Sequence, residues 1–403
     1  MSWIDEIIGK STIVQPICPE EHMLVEKLIN TAYSTLTENY ERGLVLASLY
    51  DLAIASVYYT NITNAGWMFC RNDGNPKLLL PFVNCCPIHA LKGDFVFHKS
   101  GKPTSGKIGV ATSRILLLFF DGLFKRFGQR IEVYKASEPA DAILLDRTKK
   151  KVFFAEIKAS PLLTMSLATD CDLMTETNDR GEVVTINHKS TANPTLIGSE
   201  LYIMIPVKHS GREWKFKYYP IGKKANAKDD TFAYKGLLRL LSNDEFIIDY
   251  LDYWVKSFEI YCKKDSSLNI FWFTNACGRP NSLSEWETSI SDSKTSVGMD
   301  RTDDIKKGIY QILKLGSEGK NTQKYWDYKV GILSNIHPAR HFDAYIKPIK
   351  DLIWTTTKEY NIHFAKDLPS DTPMFNLFDG IVTFTDSYVR DGWLSDELFS
   401  FLK

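Results

Sequence analysis

Two apolar segments separated by a short basic link dominate the hydrophobic pattern of the chain. Residues 139–146 (PADAILLD) and 152–158 (VFFAEIK) are rich in aliphatic and aromatic side chains, and polar clusters bound both of them. This pattern predicts the two strands of an antiparallel hairpin. With the turn centred in the link, Asp141 lies directly opposite Glu156, and the alternation of side chains along a strand puts Lys158 on the same face.

Further periodic segments flank this hairpin. Residues 109–127 carry a helical apolar pattern and residues 130–134 predict a short strand, and both come before the hairpin. After it, residues 300–314 place isoleucines at helical spacing, with acids in the first turn and lysines later, as the helix dipole favours. Residues 328–333 then predict another strand.

The remaining segments predict a divided chain. We expect an N-terminal lobe at 1–108, with helices over 20–59 and a loop-rich remainder, and a core at 109–403. The interval 160–299 is too long for a simple connection, so it is predicted to be an insertion with its own structure. The pattern predicts strands at 201–207, 214–219, 269–274 and 380–384, helices at 246–262 and 342–353, and a short terminal helix.

Composition narrows the class of protein. With 403 residues, 44% of them apolar, the chain is globular and long enough for two or three structural units. Its formal net charge of zero disfavours a non-specific nucleic-acid coat protein and fits an enzyme that meets DNA in one cleft. We expect a cytoplasmic protein without a membrane span, because the seven cysteines follow no secreted pattern, no signal segment is evident, and the longest apolar run is short.

The polar residues of the hairpin suggest a chemistry. Two carboxylates, Asp141 and Glu156, offer the hard oxygen ligands that Mg²⁺ prefers, and Mg²⁺ also takes water and phosphate oxygens. Such an ion stabilises charge on a scissile phosphate and lowers the pKa of bound water, and Lys158 would hold that water or neutralise the phosphate. The alternative is an ordinary hairpin with a surface Glu–Lys pair, and a one-residue slip in register would separate the two acids.

The same residues carry a resemblance to a known family. Pro139-Ala140-Asp141, followed by Glu156-Ile157-Lys158, resembles the signature of the PD-(D/E)XK nucleases, with Ala140 standing between the proline and the acid. The predicted order of helix, three strands, helix and strand is also similar to the core of that superfamily. The resemblance implies an α/β (α+β) fold, in which a mixed central sheet is flanked by helices and joined to an N-terminal lobe and a large insertion.

The resemblance implies site residues as well. Asp141 and Glu156 would bind Mg²⁺ and Lys158 would assist the attacking water. On the helix predicted at 300–314, Gln311 would face the site, and the alternative for this residue is a solvated face of an amphipathic helix. Asp146 is the reserve candidate for the first acid, and Asp121 is a candidate for an additional carboxylate on the preceding helix.

A type II restriction endonuclease is the function that the resemblance implies. Such an enzyme cuts both strands of DNA at a short site, and cleavage of a palindrome is most simply done by a two-fold homodimer. A companion DNA methyltransferase would protect host DNA. Two alternatives stay open: another nuclease of the superfamily, acting in repair or phage defence, and a non-catalytic DNA-binding module.

Two further segments contain candidate binding residues. Lys208, Arg212, Lys215 and Lys217 alternate with aromatic residues in the insertion and are candidates for DNA contacts, although an amphipathic strand with solvated lysines shows the same pattern. Upstream, the Cys-x-x-His pair Cys86 and His89 is a candidate for a structural zinc site with Cys70. The alternative is that these cysteines are buried as small hydrophobic residues.

Overall fold

The computed structural model divides the chain into two compact units. The sheet unit comprises Met1–Val14, Leu123–Ala159 and Gly298–Lys403, and the accessory unit comprises Gln15–Gly122 and Ser160–Val297. The predicted start of the insertion at 160 coincides with a boundary, whereas most of the predicted N-terminal lobe groups with the insertion in one unit. The structure describes residues 3–60, 77–79, 86–91, 105–136, 138–169, 175–177, 179–185, 198–209, 213–226, 228–263, 297–320, 325–355 and 365–403.

The described residues form both helices and strands, with a mixed sheet of seven strands, so the predicted mixed α/β class is confirmed. The helices are α1 (Trp3–Lys10), α2 (Pro19–Ala32), α3 (Arg42–Thr60), α4 (Pro87–Leu91), α5 (Ser105–Arg126), α6 (Phe232–Leu240), α7 (Asp244–Lys263) and α8 (Thr302–Gly319). The strands are β1 (Thr12–Ile13), β2 (Lys77–Leu79), β3 (Glu132–Lys135), β4 (Ala142–Asp146), β5 (Lys151–Ile157), β6 (Leu167–Thr169), β7 (Thr175–Thr177), β8 (Val183–Thr185), β9 (Glu200–His209), β10 (Glu213–Lys223), β11 (Asp327–Leu333), β12 (Ile353–Trp354), β13 (Phe375–Asn376), β14 (Gly380–Val382) and β15 (Tyr388–Val389).

A mixed sheet of seven strands forms the centre of the sheet unit. Its order is β1-β3-β4-β5-β11-β14-β15. The pairs β5–β11 and β11–β14 are parallel, and the outer pairs are antiparallel. Strands β4 and β5 are almost wholly buried, which explains why their sequences read as continuous apolar runs.

The hairpin β4–β5 has the register predicted from the sequence. Asp146 pairs with Lys151 and Ala142 with Ala155, so the next position along this ladder sets Asp141 opposite Glu156. The four-residue turn closes without an Asn-Gly pair, because the Asp146 carboxylate accepts a hydrogen bond from the Lys149 N–H at 2.9 Å. Lys150 completes the turn with a left-handed φ of 54°.

One face of this sheet is covered by α1 and α8. Ile4 and Ile7 of α1 pack with Phe154 and Val330, and Leu315 of α8 joins the same cluster. A second cluster beside it joins Ile305 and Ile312 of α8 to Ile332 of β11 and Ile381 of β14. Full burial of each such side chain contributes about 1.5–3 kcal/mol, so α8 is held firmly across the parallel strands.

A buried ion pair fixes the C-terminal end of α8. The ammonium group of Lys320 contacts the Asp379 carboxylate at 2.8 Å, and both side chains are almost fully buried. Asp379 also accepts the Val330 N–H at 2.8 Å, so one carboxylate connects the end of α8 to β11. Burial lowers the pKa of Lys320, and the negative charge of Asp379 opposes that shift.

The opposite face of the sheet is closed by aromatic side chains near the C-terminus. The ring of Phe399 lies against Phe153 of β5 and Phe124, with centroid separations of 5.9 and 6.0 Å. At the centre of this face, a side chain at Gly331 would collide with the carbonyl oxygen of Gly380 and would lie 2.8 Å from the Phe153 ring. Only glycine therefore allows β11 and β14 to approach as they do.

The accessory unit combines a four-stranded sheet, ordered β10-β9-β6-β2, with the helices α2, α3, α6 and α7. Among the described residues, α3 alone is long and apolar enough to cross a membrane, and 83% of its apolar window is buried inside the structure. Such burial is what the core helix of a soluble protein shows. Its Asp51 is fully buried and accepts hydrogen bonds from Trp254 Nε1 at 2.7 Å and the Leu163 N–H at 2.9 Å.

Two predictions for the C-terminal part are corrected by the structure. The helix predicted at 342–353 is limited to Phe342–Ile346, and Ile353 begins β12. The helix predicted to begin at residue 300 begins at Thr302, because the buried Asp300 carboxylate accepts the backbone N–H groups of Arg340 and His341 instead. The strand predicted at 269–274 lies outside the described residues.

Candidate functional site

The candidate site lies at the edge of the sheet where β4 begins and β5 and β11 end. Asp141 immediately precedes β4, and its N–H donates to the Ala155 carbonyl oxygen at 3.1 Å. The Asp141 carboxylate accepts the Ile157 N–H at 2.9 Å, so its position is fixed by β5. The side of Asp141 that faces away from β5 is exposed to solvent.

Glu156 and Lys158 follow on the same face of β5. Lys158 Nζ donates a hydrogen bond to Glu156 Oε1, and the two side chains are 16% and 10% exposed. The backbone of Lys158 is held by β11, because its N–H donates to the Leu333 carbonyl at 3.0 Å and its own carbonyl accepts the Ser334 hydroxyl at 2.7 Å. The ammonium group therefore extends from a doubly anchored residue.

Burial raises the pKa of Glu156, and the negative charge of Asp141 raises it further. The hydrogen bond and positive charge of Lys158 act in the opposite direction and do not fully compensate. The positive charge of Lys158 is therefore too small to offset the burial of Glu156 and its repulsion from Asp141.

The donor set fits a hard divalent cation. Asp141 and Glu156 offer carboxylate oxygens, and a cation near them would relieve the repulsion that raises the pKa of Glu156. Within the described parts of the chain, no cluster of three or more His, Cys, Asp and Glu side chains is arranged to hold a metal. These two acids would therefore bind the ion together with water and substrate oxygens, which is the habit of Mg²⁺.

Helix α8 closes one side of the site. A Cβ atom at Gly308 would lie 3.0 Å from the Ile332 side chain and 3.8 Å from Lys158 Cγ. The lysine stem therefore passes beside the helix backbone, and a side chain at Gly308 would crowd Ile332. Gln311, one turn further along α8, is half-buried and hydrogen-bonds to none of Asp141, Glu156 or Lys158 among the described contacts.

Of the two reserve carboxylates, Asp146 lies away from Glu156 within the sheet unit, and Asp121 belongs to the other unit. Asp146 pairs with Lys151 at the turn end of the hairpin, at the other end of the strands from Glu156, and its carboxylate is used to close the turn. Asp121 lies on α5, within the accessory unit. The candidate site in the sheet unit is therefore built on Asp141 rather than on Asp146.

Two of the three predicted zinc ligands are described. Cys86 and His89 are both buried, and His89 Nδ1 lies 3.2 Å from the Cys86 sulfur at the start of α4. Cys70 lies outside the described residues, so the zinc site stays a prediction.

The predicted DNA-binding lysines lie on the β9–β10 hairpin of the accessory unit. Lys208 and Lys215 are exposed near the loop between the strands, and Arg212 lies outside the described residues. Lys217 is engaged by α7, because its ammonium group contacts Asp249 at 2.8 Å and Glu245 at 2.9 Å. Of the interleaved aromatic residues, Tyr219 is buried.

Ser334 helps to position Lys158, and the sequence alone did not predict this role. Its hydroxyl group fixes the Lys158 carbonyl across a separation of 176 residues. A serine that follows an apolar strand is a common sequence feature, so the only available signal was its place directly after the strand predicted at 328–333.

Comparisons with known proteins do not identify a relative of this chain. No protein-family model, no curated protein and no solved structure matches the chain. What the site does is therefore inferred from its residues.

Proposed function

We propose that the protein is a Mg²⁺-dependent type II restriction endonuclease that makes site-specific double-strand breaks in DNA. The observation that carries the proposal is the geometry at one edge of the sheet. Asp141 and Glu156 stand opposite each other there, and Lys158 is hydrogen-bonded to Glu156. An apolar hairpin gains nothing from placing two acids and a lysine at one end, and Glu156 is buried there. Burial of a charge costs free energy that only pairing or function offsets.

The order of elements along the chain supports a PD-(D/E)XK fold, although most of α5, the first helix of that order, groups with the accessory unit. The chain runs through α5, the strands β3, β4 and β5, and then α8 and β11, with Ser160–Val297 inserted before α8. This is the helix, three-strand, helix, strand order that the nuclease resemblance implies. Strands β5 and β11 are parallel neighbours, which brings the end of β11 to the backbone of Lys158.

Each residue of the site has a role in the proposed reaction. Asp141 and Glu156 would hold Mg²⁺, which stabilises negative charge on the scissile phosphate and makes water more acidic. Asp141 is held in position by the Ile157 N–H, so its carboxylate is oriented before the substrate arrives. Lys158 orients the attacking water and stabilises the charge that develops on the phosphate oxygens.

The proposed function carries expectations about partners. The substrate is duplex DNA, and a two-fold homodimer would present two such sites to the two strands of a palindrome. A companion DNA methyltransferase would protect host DNA. A nuclease of the same superfamily acting in repair or phage defence would use the same site chemistry, and the pattern of the cut ends distinguishes it.

The test is incubation of the purified protein with unmodified phage DNA and Mg²⁺, followed by sequencing of the fragment ends. We expect discrete fragments that share one short end sequence. Asp141→Ala and Glu156→Ala should each abolish cleavage, by at least about 10³-fold as for loss of essential charge stabilisation, and leave DNA binding largely intact. Glu397→Gln, which changes an exposed acid of the sheet unit, should cut normally.

Three outcomes contradict the proposal in different ways. Ends without a shared sequence indicate a less specific nuclease. DNA that stays intact with Mg²⁺ or Mn²⁺, whether methylated or not, indicates a binding module. Loss of the folded state in both alanine variants would mean that the two acids have a structural role.

A further inference from the structure

One flank of α8 carries polar side chains that the core does not use. On one side of the helix, Ile309 packs with Tyr345 beside β11 and β14, and on the other side Leu315 packs with Ile143 and Phe154 of the hairpin strands. A helix turns once in 3.6 residues. Around the helix axis, residues 307, 311 and 314 therefore follow Leu315 on the side away from Ile309. That side of α8 is the one next to the β4–β5 hairpin, which carries the candidate site.

The basic flank is defined here as Lys307, Tyr310, Gln311 and Lys314. Both lysines are exposed, and Tyr310 is 65% exposed, which is the largest exposure among the big apolar and aromatic residues of the described chain. The flank borders the candidate site because a Cβ atom at Gly308, between these residues, would lie only 3.8 Å from Lys158 Cγ.

The lysines of the flank differ from several other exposed lysines of the sheet unit. Exposed lysines there are commonly neutralised by a nearby acid, as in the pairs Lys347–Asp343 and Lys403–Asp396. Among the described residues, no acid lies within ion-pair distance of Lys307 or Lys314. Two unneutralised cations with a tyrosine and a glutamine between them are suited to a polyanion.

We propose that the basic flank binds the phosphate backbone of duplex DNA next to the cleavage site. This inference rests on the proposed function and adds the path of the substrate. Lys307 and Lys314 are seven residues apart, or about 10 Å along the helix axis, so their ammonium groups can reach different phosphates of one strand.

The charges at the two ends of α8 limit the contact to its middle. Asp303 is exposed in the first turn and Glu318 in the last turn, so both repel phosphate. Asp304 lies on the same side and is partly neutralised by Arg301 at 3.6 Å. The backbone is therefore expected to cross α8 between residues 307 and 314.

The test measures how DNA affinity depends on salt. A fluorescein-labelled 30-base-pair duplex of random sequence is titrated with the full-length protein in EDTA, so that no cleavage occurs, at several NaCl concentrations. Each lost phosphate contact lowers the slope of log K against log salt by about 1. We therefore expect Lys307→Gln/Lys314→Gln to lower the slope by about 2.

The control is Lys347→Gln/Lys403→Gln, which removes the same net charge from two exposed and acid-paired positions of the same unit. Its slope should equal that of the unchanged protein. The single variants Lys307→Gln and Lys314→Gln should each lower the slope by about 1, and they replace the double variant if circular dichroism shows that it does not fold.

The possible failures are distinguishable. If the unchanged protein binds and cuts DNA but the flank variants keep its slope, the inference is wrong and the proposed function stands. If the control lowers the slope as much as the flank variant, overall charge is responsible, and the inference is again wrong. If the unchanged protein neither binds nor cuts DNA, the inference and the proposed function are both wrong.

Discussion

At the scale of single residues, the candidate site depends on how Lys158 is held. Glu156 fixes its ammonium group, and the strand edge formed by Leu333 and Ser334 fixes its backbone. The carboxylates carry the charge, while these anchors decide where the ammonium group points. A small displacement of such a group is costly, because catalysis requires reacting atoms to be aligned closely.

Under the proposed function, loss of the Ser334 hydroxyl should therefore impair turnover of DNA more than binding of DNA. A hydrogen bond of this kind contributes about 0.5–1.5 kcal/mol, so Ser334→Ala is expected to lower kcat about 2- to 10-fold with KM for DNA nearly unchanged. Steady-state cleavage kinetics measure both constants. Ser395→Ala, at a partly buried serine far along the chain, should change neither constant. A rise in KM at constant kcat would show that Ser334 acts on substrate binding instead.

At the scale of elements, a buried acid connects the helices of the accessory unit. Asp51 of α3 accepts hydrogen bonds from Trp254 of α7 and from Leu163, and burial raises its pKa well above that of a free aspartate. The folded protein therefore keeps a proton that the unfolded chain releases above about pH 4. Stability from this group is fully present at lower pH and is lost as the pH rises toward the folded pKa.

Replacement of Asp51 by asparagine should remove that pH dependence. The amide oxygen still accepts both hydrogen bonds but carries no proton to lose, so Asp51→Asn is expected to be the more stable form at pH 8. Urea midpoints at pH 5 and pH 8 make the comparison, and the variant should show the smaller difference between them. An equal loss of stability at both values of pH would mean that the amide group does not fit the site.

Close packing of two strands gives a prediction for the central sheet. A methyl group at Gly331 would collide with the Gly380 carbonyl and the Phe153 ring, whereas one at Gly109 of α5 would meet nothing within 4 Å. Gly331→Ala should destabilise the protein by at least about 1–3 kcal/mol, the usual cost of overpacking. Gly109→Ala should stabilise it by about 0.5–1 kcal/mol, because alanine favours a helix. Equal denaturation midpoints for the two variants would contradict this account of the β11–β14 contact.

At the scale of the whole molecule, the sequence predicted those strands and helices whose positions follow from the local spacing of apolar residues. The β4–β5 register, α8 and β11 follow from alternation and helical spacing, and they were predicted within a few residues. The helix predicted at 342–353 was wrong beyond Ile346, because residues 353–354 pair with β13 instead. The addition of α1 and β1 to the central sheet was not predicted, since it depends on contacts between distant parts of the chain.

The candidate site shows the same division. Asp141, Glu156 and Lys158 were found because a hydrophobic strand has no packing reason to carry them. The hydrogen bonds that Leu333 and Ser334 make to the Lys158 backbone were not predicted, because the sequence around these residues does not specify Lys158 as their partner. Asp300 illustrates the limit, since its place before a helix suggested a helix-end acid, whereas it binds the backbone at residues 340–341.

The contact between Ser334 and Lys158 also has a consequence for synthesis on the ribosome. The two residues are 176 positions apart, so at roughly 5–20 residues per second about 10–35 s separate their emergence. During that interval Asp141, Glu156 and Lys158 already exist on the nascent chain, but the strand that anchors the lysine does not. If the protein is the nuclease proposed above, it stays inert until most of its chain has been translated, which keeps half-made copies from damaging the DNA of the cell that produces them.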